Sequence, residues 1–338
     1  MRNHSGGTRT ERRKLFLTVA SAAAIVVALL VGVIAASLGA QSAPGQAPTA
    51  QLPPQWQIDA GGKQAFDVAS VEQDTADPST ARTNVPLGPT NVSTPSGGLL
   101  AAVNIPLVTY ISFAYKLTGN QSQSLQSQLP KWATTERFDI QAKAEGNPTK
   151  DQMRLMMQAL LADRFKLAVH NETRQLPVFG LVLVKPGKTG PQLQAHPDDA
   201  PCSTVQAPPS SAPAPPATVA GGFPALCGSP LYMPSSVPGR TRVAARNVTI
   251  GMLAGTMTGF GNLDRHVLDQ TGLKGNFDWI IEWTPQFNGP VPPGAPQPDE
   301  SGPTFLEALR DQLGLKLDSQ TGPVDIMVID HIEEPSPN

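Results

Sequence analysis

Residues 15–38 form the longest apolar stretch of the chain and carry no charged side chain. As a helix rising about 1.5 Å per residue, these 24 residues would span the roughly 30 Å hydrocarbon core of a bilayer. The basic segment 1–14 precedes the stretch, and positive charge is retained on the cytoplasmic side. We predict a single-pass inner-membrane anchor with the bulk of the chain periplasmic or otherwise extracytoplasmic. The alternative is a cleaved signal peptide, whose apolar core is usually only about 7–15 residues.

Stretches rich in proline and alanine separate the patterns that predict folded segments. Residues 39–62 predict a semi-rigid tether, and residues 186–239 predict a linker loop. The remaining residues form two blocks, 63–185 and 240–338. A further proline-rich stretch, 285–303, interrupts the second block.

Helix signals recur in both blocks. Thr149 and Thr304 are each followed three residues later by Gln152 and Glu307, which is the spacing of a capping box. Apolar residues at helical spacing follow each box and predict one buried face per helix. Gly314 predicts a left-handed end to the second helix.

Strand and turn signals complete each block. Alternation along 277–283 is typical of a strand with one buried face. Strongly apolar segments, 178–184 and 324–329, predict the closing strands. Residues 321–323 (Thr-Gly-Pro) predict a turn into the last strand, and residues 259–261 (Gly-Phe-Gly) predict another turn.

The two blocks repeat their landmarks in the same order, which favours an internal duplication over chance similarity. We predict an α+β fold with two related small domains, each a short mixed sheet packed by helices, behind an N-terminal transmembrane helix. The paired segments are 104–107 with 247–250, 138–140 with 277–279, 156–160 with 305–309, 165–167 with 315–317, and 178–184 with 324–329.

Further motifs are spread along both blocks. They are 66–71 (FDVASV), Trp132, 137–140 (RFDI), 162–167 (ADRFKL) with His170, 172–178 (ETRQLPV), 269–273 (DQTGL), 282–285 (EWTP), 312–317 (QLGLKL), 328–333 (VIDHIE) and 335–336. Together these motifs resemble an uncharacterised family that is expanded in soil acidobacteria and classed as a domain of unknown function. That resemblance implies no established activity. Some members look fused or adjacent to membrane metallopeptidases of the antibiotic-sensor type, which implies an extracytoplasmic sensor domain as an alternative function.

Charge argues against nucleic acid as a partner. The net charge of the whole chain is -2, but the first 14 residues carry +4, so the remainder carries -6. Phosphate binding needs a basic face, which an acidic body lacks. The partners we predict are the membrane, through the N-terminal helix, and an envelope protein or peptide.

The sequence contains no recognisable catalytic or metal-binding motif. It lacks HExxH, CxxC and GxSxG, so we predict no metal, no cofactor and no assigned catalytic residue. His170 and His331 flank predicted strands and are the best candidates if the chain is an envelope hydrolase. Cys202 and Cys227, the two cysteines of the chain, predict a disulfide in an oxidising compartment, with free thiols as the alternative.

Three arginines complete the candidate ligand-binding set. Arg137, Arg164 and Arg174 accompany motif residues, and a guanidinium can bind a carboxylate with two hydrogen bonds. Ion pairing at the ends of helices and strands is the alternative. We predict that the chain is a non-enzymatic envelope module for binding or interaction, although an enzymatic activity stays open.

Overall fold

The computed structural model describes residues 53–205, 216–286, 297–299 and 301–335. The predicted cytoplasmic segment 1–14, the predicted anchor 15–38 and most of the tether lie outside these residues. Within the described ranges, no helix has the length and apolar character needed to cross a membrane. All of the described residues belong to one compact unit.

Among the described residues, the first four strands form an antiparallel sheet in the order β1-β4-β3-β2, and five helices accompany it. The first of these helices lies in the predicted tether 39–62, not in the first block. Phe138, Ile140 and Ala142 of β4 are buried against the helices, whereas Gln141 and Lys143 face solvent. The elements are α1 (Gln55–Asp59), β1 (Val68–Asp74), β2 (Arg82–Thr83), β3 (Leu99–Pro106), α2 (Leu107–Ala114), α3 (Gly119–Gln126), α4 (Lys131–Thr135), β4 (Arg137–Lys143) and α5 (Lys150–Arg164).

The rest of the described chain forms a second four-stranded antiparallel sheet, in the order β6-β10-β8-β7, and a three-stranded sheet, in the order β11-β5-β9. Strands β6 and β7 come from the predicted linker loop 186–239. The elements are β5 (Ala168–Leu183), β6 (Leu193–Ala195), β7 (Leu231–Met233), β8 (Thr241–Val248), α6 (Ile250–Gly261), β9 (His266–Asp269), β10 (Phe277–Trp283), α7 (Phe305–Leu313) and β11 (Leu315–His331).

Strand β10 is buried on both faces, although its sequence predicted one buried face. Trp279 and Ile281 pack with α6 and α7, as the alternation indicated. On the opposite face, Ile280 packs against Phe223 and Met233, which belong to the linker loop. The loop therefore covers a face that we expected to meet water.

The two longest strands, β5 and β11, pair antiparallel along almost their whole length. The predicted turn at 321–323 is wrong, because Thr321 pairs with Pro177 and Pro323 pairs with Gln175 inside the ladder. An outer strand such as β11 accepts a proline, since one of its sides has no neighbouring strand. The predicted closing strand 178–184 covers the end of β5 and one residue beyond it, and 324–329 lies in the second half of β11.

The paired strands join the two blocks. Leu167, just before β5, and Val169 at its start pack into the first core, whereas Leu181, near its end, packs into the second. Strand β11 does the reverse, with Leu315 in the second core and Met327 in the first. The blocks that we predicted as separate small domains therefore exchange strands and share one framework.

Two matching corners lead from a strand into a helix. Asn104 near the end of β3 and Asn247 near the end of β8 have φ values of 56° and 53°. Their backbone N–H groups donate to Asp139 Oδ1 at 2.8 Å and to Asp278 Oδ1 at 2.9 Å. The strand register shifts beside each corner. Asparagine suits these positions because it tolerates left-handed backbone conformations better than most residues.

The predicted capping boxes are confirmed at Thr149 with Gln152 and at Thr304 with Glu307. Gly314, with φ of 70°, ends α7 as expected. The predicted turn at 259–261 is wrong, because these residues form the last turn of α6. Asn262, the next residue, caps the helix in a left-handed conformation with φ of 49°.

Candidate functional site

Three aromatic rings meet where α6, β10 and α7 come together. Phe260 lies at the end of α6, Trp283 at the end of β10 and Phe305 at the start of α7. The Phe260 centroid lies 5.9 Å from the centroids of both Trp283 and Phe305, and the latter two are 5.3 Å apart. Edge-to-face and tilted pairs of this kind add about 0.5–1.5 kcal/mol to the burial of their area.

Gly261 permits this cluster because it lacks a side chain. A Cβ atom at this position would lie 2.5 Å from Phe305 Cε1, which is closer than real contacts allow. The end of α6 therefore approaches α7 closely enough to bring the two phenylalanine rings together.

A cavity of about 520 Å³ opens beside the three rings. We call it the aromatic cavity. Its polar groups are hydroxyls and carboxamides, which can hydrogen-bond a ligand without carrying charge. It is lined by Tyr232, Thr241, Phe260, Gly261, Asn262, Leu263, Trp283, Thr284, Pro285, Gln286, Thr304, Phe305 and Leu306.

A second cavity of about 370 Å³ shares Tyr232 and Phe260 with the first. We call it the proline cavity. Its lining comes from a first-block segment, 86–92, from the linker loop at 226–232, and from β8 and α6 of the second block. It is lined by Pro86, Gly88, Pro89, Thr90, Val92, Leu226, Ser229, Pro230, Leu231, Tyr232, Val243, Thr256, Gly259 and Phe260.

No charged side chain is among the residues that line these two cavities. An ion network adjoins Thr284, whose hydroxyl donates to the Asp299 carbonyl at 2.8 Å. Arg240 pairs with Asp299 at 2.8 Å, and hydrogen bonds from Ser301 and then from Arg240 lower the pKa of the Asp299 carboxyl. These contacts position the segment around Thr284 beside the aromatic cavity, but the charged side chains themselves do not line it.

A disulfide fixes one wall of the proline cavity. Cys202 and Cys227 are bonded to each other, and Leu226 and Ser229 beside Cys227 line the cavity. The backbone N–H of Cys227 also donates to the Ser203 carbonyl at 2.8 Å. The wall is therefore held covalently and by a backbone hydrogen bond.

Most of the site lies within a region that matches a known family. Residues 108–332, about two thirds of the chain, match the family described as a protein of unknown function, DUF3738. The chain belongs to the DUF3738 family. No significant match was found among curated proteins or among solved structures. The resemblance is thus confirmed as membership of a family of unknown function, and the expansion in soil bacteria stays a prediction.

The arginines that we predicted as ligand-binding residues do not line the two cavities of the DUF3738 chain. Arg137 donates to the Asn104 carbonyl at 2.8 Å, beside the first corner. Arg164 contacts Asp163 at 3.3 Å and the Ala69 carbonyl at 3.4 Å. Arg164 thus pairs with an acid at the end of a helix, whereas Arg137 hydrogen-bonds a backbone carbonyl, and a role of either in ligand binding stays a prediction.

The structure brings His170 and Arg174 together through Glu172, on the surface of the paired strands. His170 Nε2 lies 3.1 Å from Glu172 Oε1, and its Nδ1 lies 2.7 Å from Asp330 Oδ1. These hydrogen bonds, Glu172 first, raise the pKa of His170. Arg174 Nη2 lies 2.7 Å from the other Glu172 oxygen. His331 pairs separately with Glu333 at 2.7 Å.

These contacts bear on the hydrolase alternative. His170 and His331 each have a carboxylate within hydrogen-bond distance, as a catalytic histidine of a hydrolase would need. However, both ring nitrogens of His170 are engaged by carboxylates, and its raised pKa favours the imidazolium form. A general base needs a free nitrogen within hydrogen-bond reach of the proton that it abstracts. No group of three potential ligands suited to a metal ion is found within the described residues.

Sequence reasoning missed the residues of the two cavities. Phe260 was placed in a turn and Trp283 in a strand, whereas Tyr232 lay in a segment predicted to be a linker. The available signal was weak: Trp283 and Phe305 flank the proline-rich stretch 285–303, and binding residues often lie on or beside loops.

Proposed function

We propose that this DUF3738 chain is a non-enzymatic binding module of the cell envelope, which receives an extended, uncharged peptide segment in the aromatic and proline cavities. The observation that carries the proposal is the pair of adjoining cavities, built by both blocks, whose lining includes no charged side chain.

The chemistry of the lining favours an uncharged and partly apolar ligand. A charged group would lose its hydration in these cavities without gaining an ionic partner. Aromatic grooves with hydrogen-bonding rims recognise extended segments, including proline-rich ones in the polyproline II conformation. Exposed Tyr232, at the boundary of both cavities, is the best placed side chain to act as a binding hot spot.

The location outside the cytoplasm is part of the same proposal. Its support is the apolar run 15–38 behind a basic segment, together with the Cys202–Cys227 bond. Disulfides persist in oxidising compartments and are rare in the cytosol. Residues 39–52 would then tether the folded unit near the membrane surface.

We also propose that the two blocks descend from a duplicated ancestor. The support is the matching pair of corners at Asn104 and Asn247, which the sequence had paired before.

Selection of random displayed peptides against the full chain in detergent micelles tests the binding proposal. Tyr232 and Val68 have similar exposed fractions, 65% and 66%, but Val68 lies on the outer strand of the first sheet. We expect uncharged peptides to be enriched. We expect Tyr232→Ala to weaken their binding about tenfold or more, since hot-spot residues contribute at least about 1–2 kcal/mol. Val68→Ala is the matched control and should bind as the wild type does.

Enrichment of charged peptides, or equal binding by the Tyr232→Ala protein, would overturn the binding proposal. Location is tested separately by fractionation and thiol labelling. The full-length protein should remain in the membrane fraction after carbonate washing, with both cysteines oxidised. A soluble cytosolic protein with reduced thiols would contradict the envelope location.

A further inference from the structure

A separate cavity of about 330 Å³ lies between a tight turn and the start of α5, and nothing in the proposed function uses it. We call it the lysine cavity. Its lining is rich in hydroxyls, and its single charged lining residue is Lys150. It is lined by Val85, Ser93, Thr94, Pro95, Ser96, Gly97, Gly98, Asn147, Pro148, Thr149, Lys150 and Met153.

Lys150 is unusually buried for a lysine. Only 6% of its surface is exposed, and its Nζ donates to the Val92 carbonyl at 2.9 Å. An ammonium group has three N–H donors, and a neutral carbonyl does not balance its charge. No ion pair joins Lys150 to a carboxylate within the described part of the chain.

The neighbouring charges make this imbalance larger. Arg154, fully buried, and Lys116 both pair with Asp151, which is the one carboxylate of this group. Three cations therefore surround a single anion. Lys143 adds a further cation at the turn, where it donates to the Gly97 carbonyl. Buried charges are normally paired, because losing hydration without a partner costs several kcal/mol.

The protonation of Lys150 reflects the same imbalance. Burial, and then repulsion from Arg154, lowers the pKa of Lys150 to about 7, while attraction to Asp151 opposes the shift. An anion placed in the cavity would stabilise the charged form and raise this pKa again.

We infer that the lysine cavity binds a small oxyanion, of the sulfate or phosphate type, with Lys150 as its cation. The hydroxyls of Ser93, Thr94 and Ser96 and the Asn147 carboxamide supply neutral hydrogen-bond donors around it. Because these donors are neutral, Lys150 alone would supply the positive charge that pairs with the anion. The site should therefore bind an anion in preference to a neutral ligand. This inference does not depend on the peptide proposal.

The probe is inorganic sulfate, which does not change its charge near neutral pH. Its binding to the full chain is measured by calorimetry at constant ionic strength. Since only charged Lys150 would pair with it, we expect the affinity to fall about thirtyfold between pH 6 and pH 8.5. Lys150→Met should lower the affinity at pH 6 at least tenfold and remove the pH dependence. The exposed Lys188 provides the matched control, and Lys188→Met should change neither.

A second measurement keeps the test decisive if Lys150→Met does not fold. Labelling of wild-type Lys150 by acetic anhydride across pH, followed by mass spectrometry, reports its protonation. Added sulfate should shift this profile to higher pH, whereas acetate at the same ionic strength should shift it less. Sulfate binding that is independent of pH and of Lys150, or an unchanged labelling profile, would overturn the inference.

Discussion

Asp139 and Asp278 occupy matching corners, but their surroundings differ. Both accept the backbone N–H of an asparagine that precedes a helix. Asp278 is also 2.7 Å from His196 Nδ1 and 4.0 Å from Arg246 Nε. Asp278 and Arg246 are both buried. The second corner therefore carries a charged network that the first corner lacks, so the two aspartates should differ in their importance for stability.

We expect Asp278→Ala to lower the free energy of unfolding by about 3–4 kcal/mol, because it leaves a buried arginine and a buried histidine without their partner. Asp139→Ala removes one acceptor and should cost about 1–2 kcal/mol. Urea denaturation of the two variants measures the difference. Equal losses would show that the network around Asp278 contributes nothing beyond the shared corner.

At the scale of elements, the loop between β6 and β8 behaves as a covering layer. It contributes β7 to the second sheet, buries the outer face of β10 and supplies one wall of the proline cavity. Its internal crosslink joins Cys202 to Cys227, which are 25 positions apart. Breaking this crosslink should therefore affect both stability and the shape of the cavity.

Reduction, or the double variant Cys202→Ala/Cys227→Ala, should lower the free energy of unfolding by about 3 kcal/mol, since an open loop has more conformations when unfolded. Peptide binding should also weaken. Urea denaturation with and without reductant measures the first effect. The double variant is the control, because reductant should leave it unchanged. Wild-type protein that is equally stable in both states would contradict the expectation.

The sequence predicted those structural features that depend on interactions between residues close together in the chain. The capping boxes at Thr149 and Thr304 and the glycine at 314 act within one or two helical turns, so the sequence placed them correctly. The pairing of β5 with β11 joins residues about 150 positions apart, and no local pattern encodes it. The cavities combine segments near residues 86, 230, 260 and 305, so no single stretch of sequence outlined them.

At the scale of the whole molecule, the exchanged strands couple the two cores. Each long strand begins in the core of its own block and ends in the other core. Helices α3 and α6 add a second contact, where Gly255 lies against Thr118. Damage to one core should therefore be transmitted to the other.

We expect Phe138→Ala in the first core and Leu309→Ala in the second to destabilise the protein by about 3–5 kcal/mol each, as is usual for fully buried residues. Each variant should also increase hydrogen exchange in the other block: in β10 for Phe138→Ala and in β4 for Leu309→Ala. Exposed Leu306→Ala provides a control for Leu309→Ala. Faster exchange confined to the mutated block would mean that the two cores open independently.

The pairing of β5 with β11 also determines when the first block can finish folding during synthesis. As the ribosome releases the chain, the first block is complete except for the residues of β11 that finish its core, and these emerge only after α7. A product truncated before residue 315 would present β5, 16 residues long, without its main partner strand. Such an edge is a template for pairing with other chains. Premature termination should thus yield aggregates or degradation rather than a folded first half.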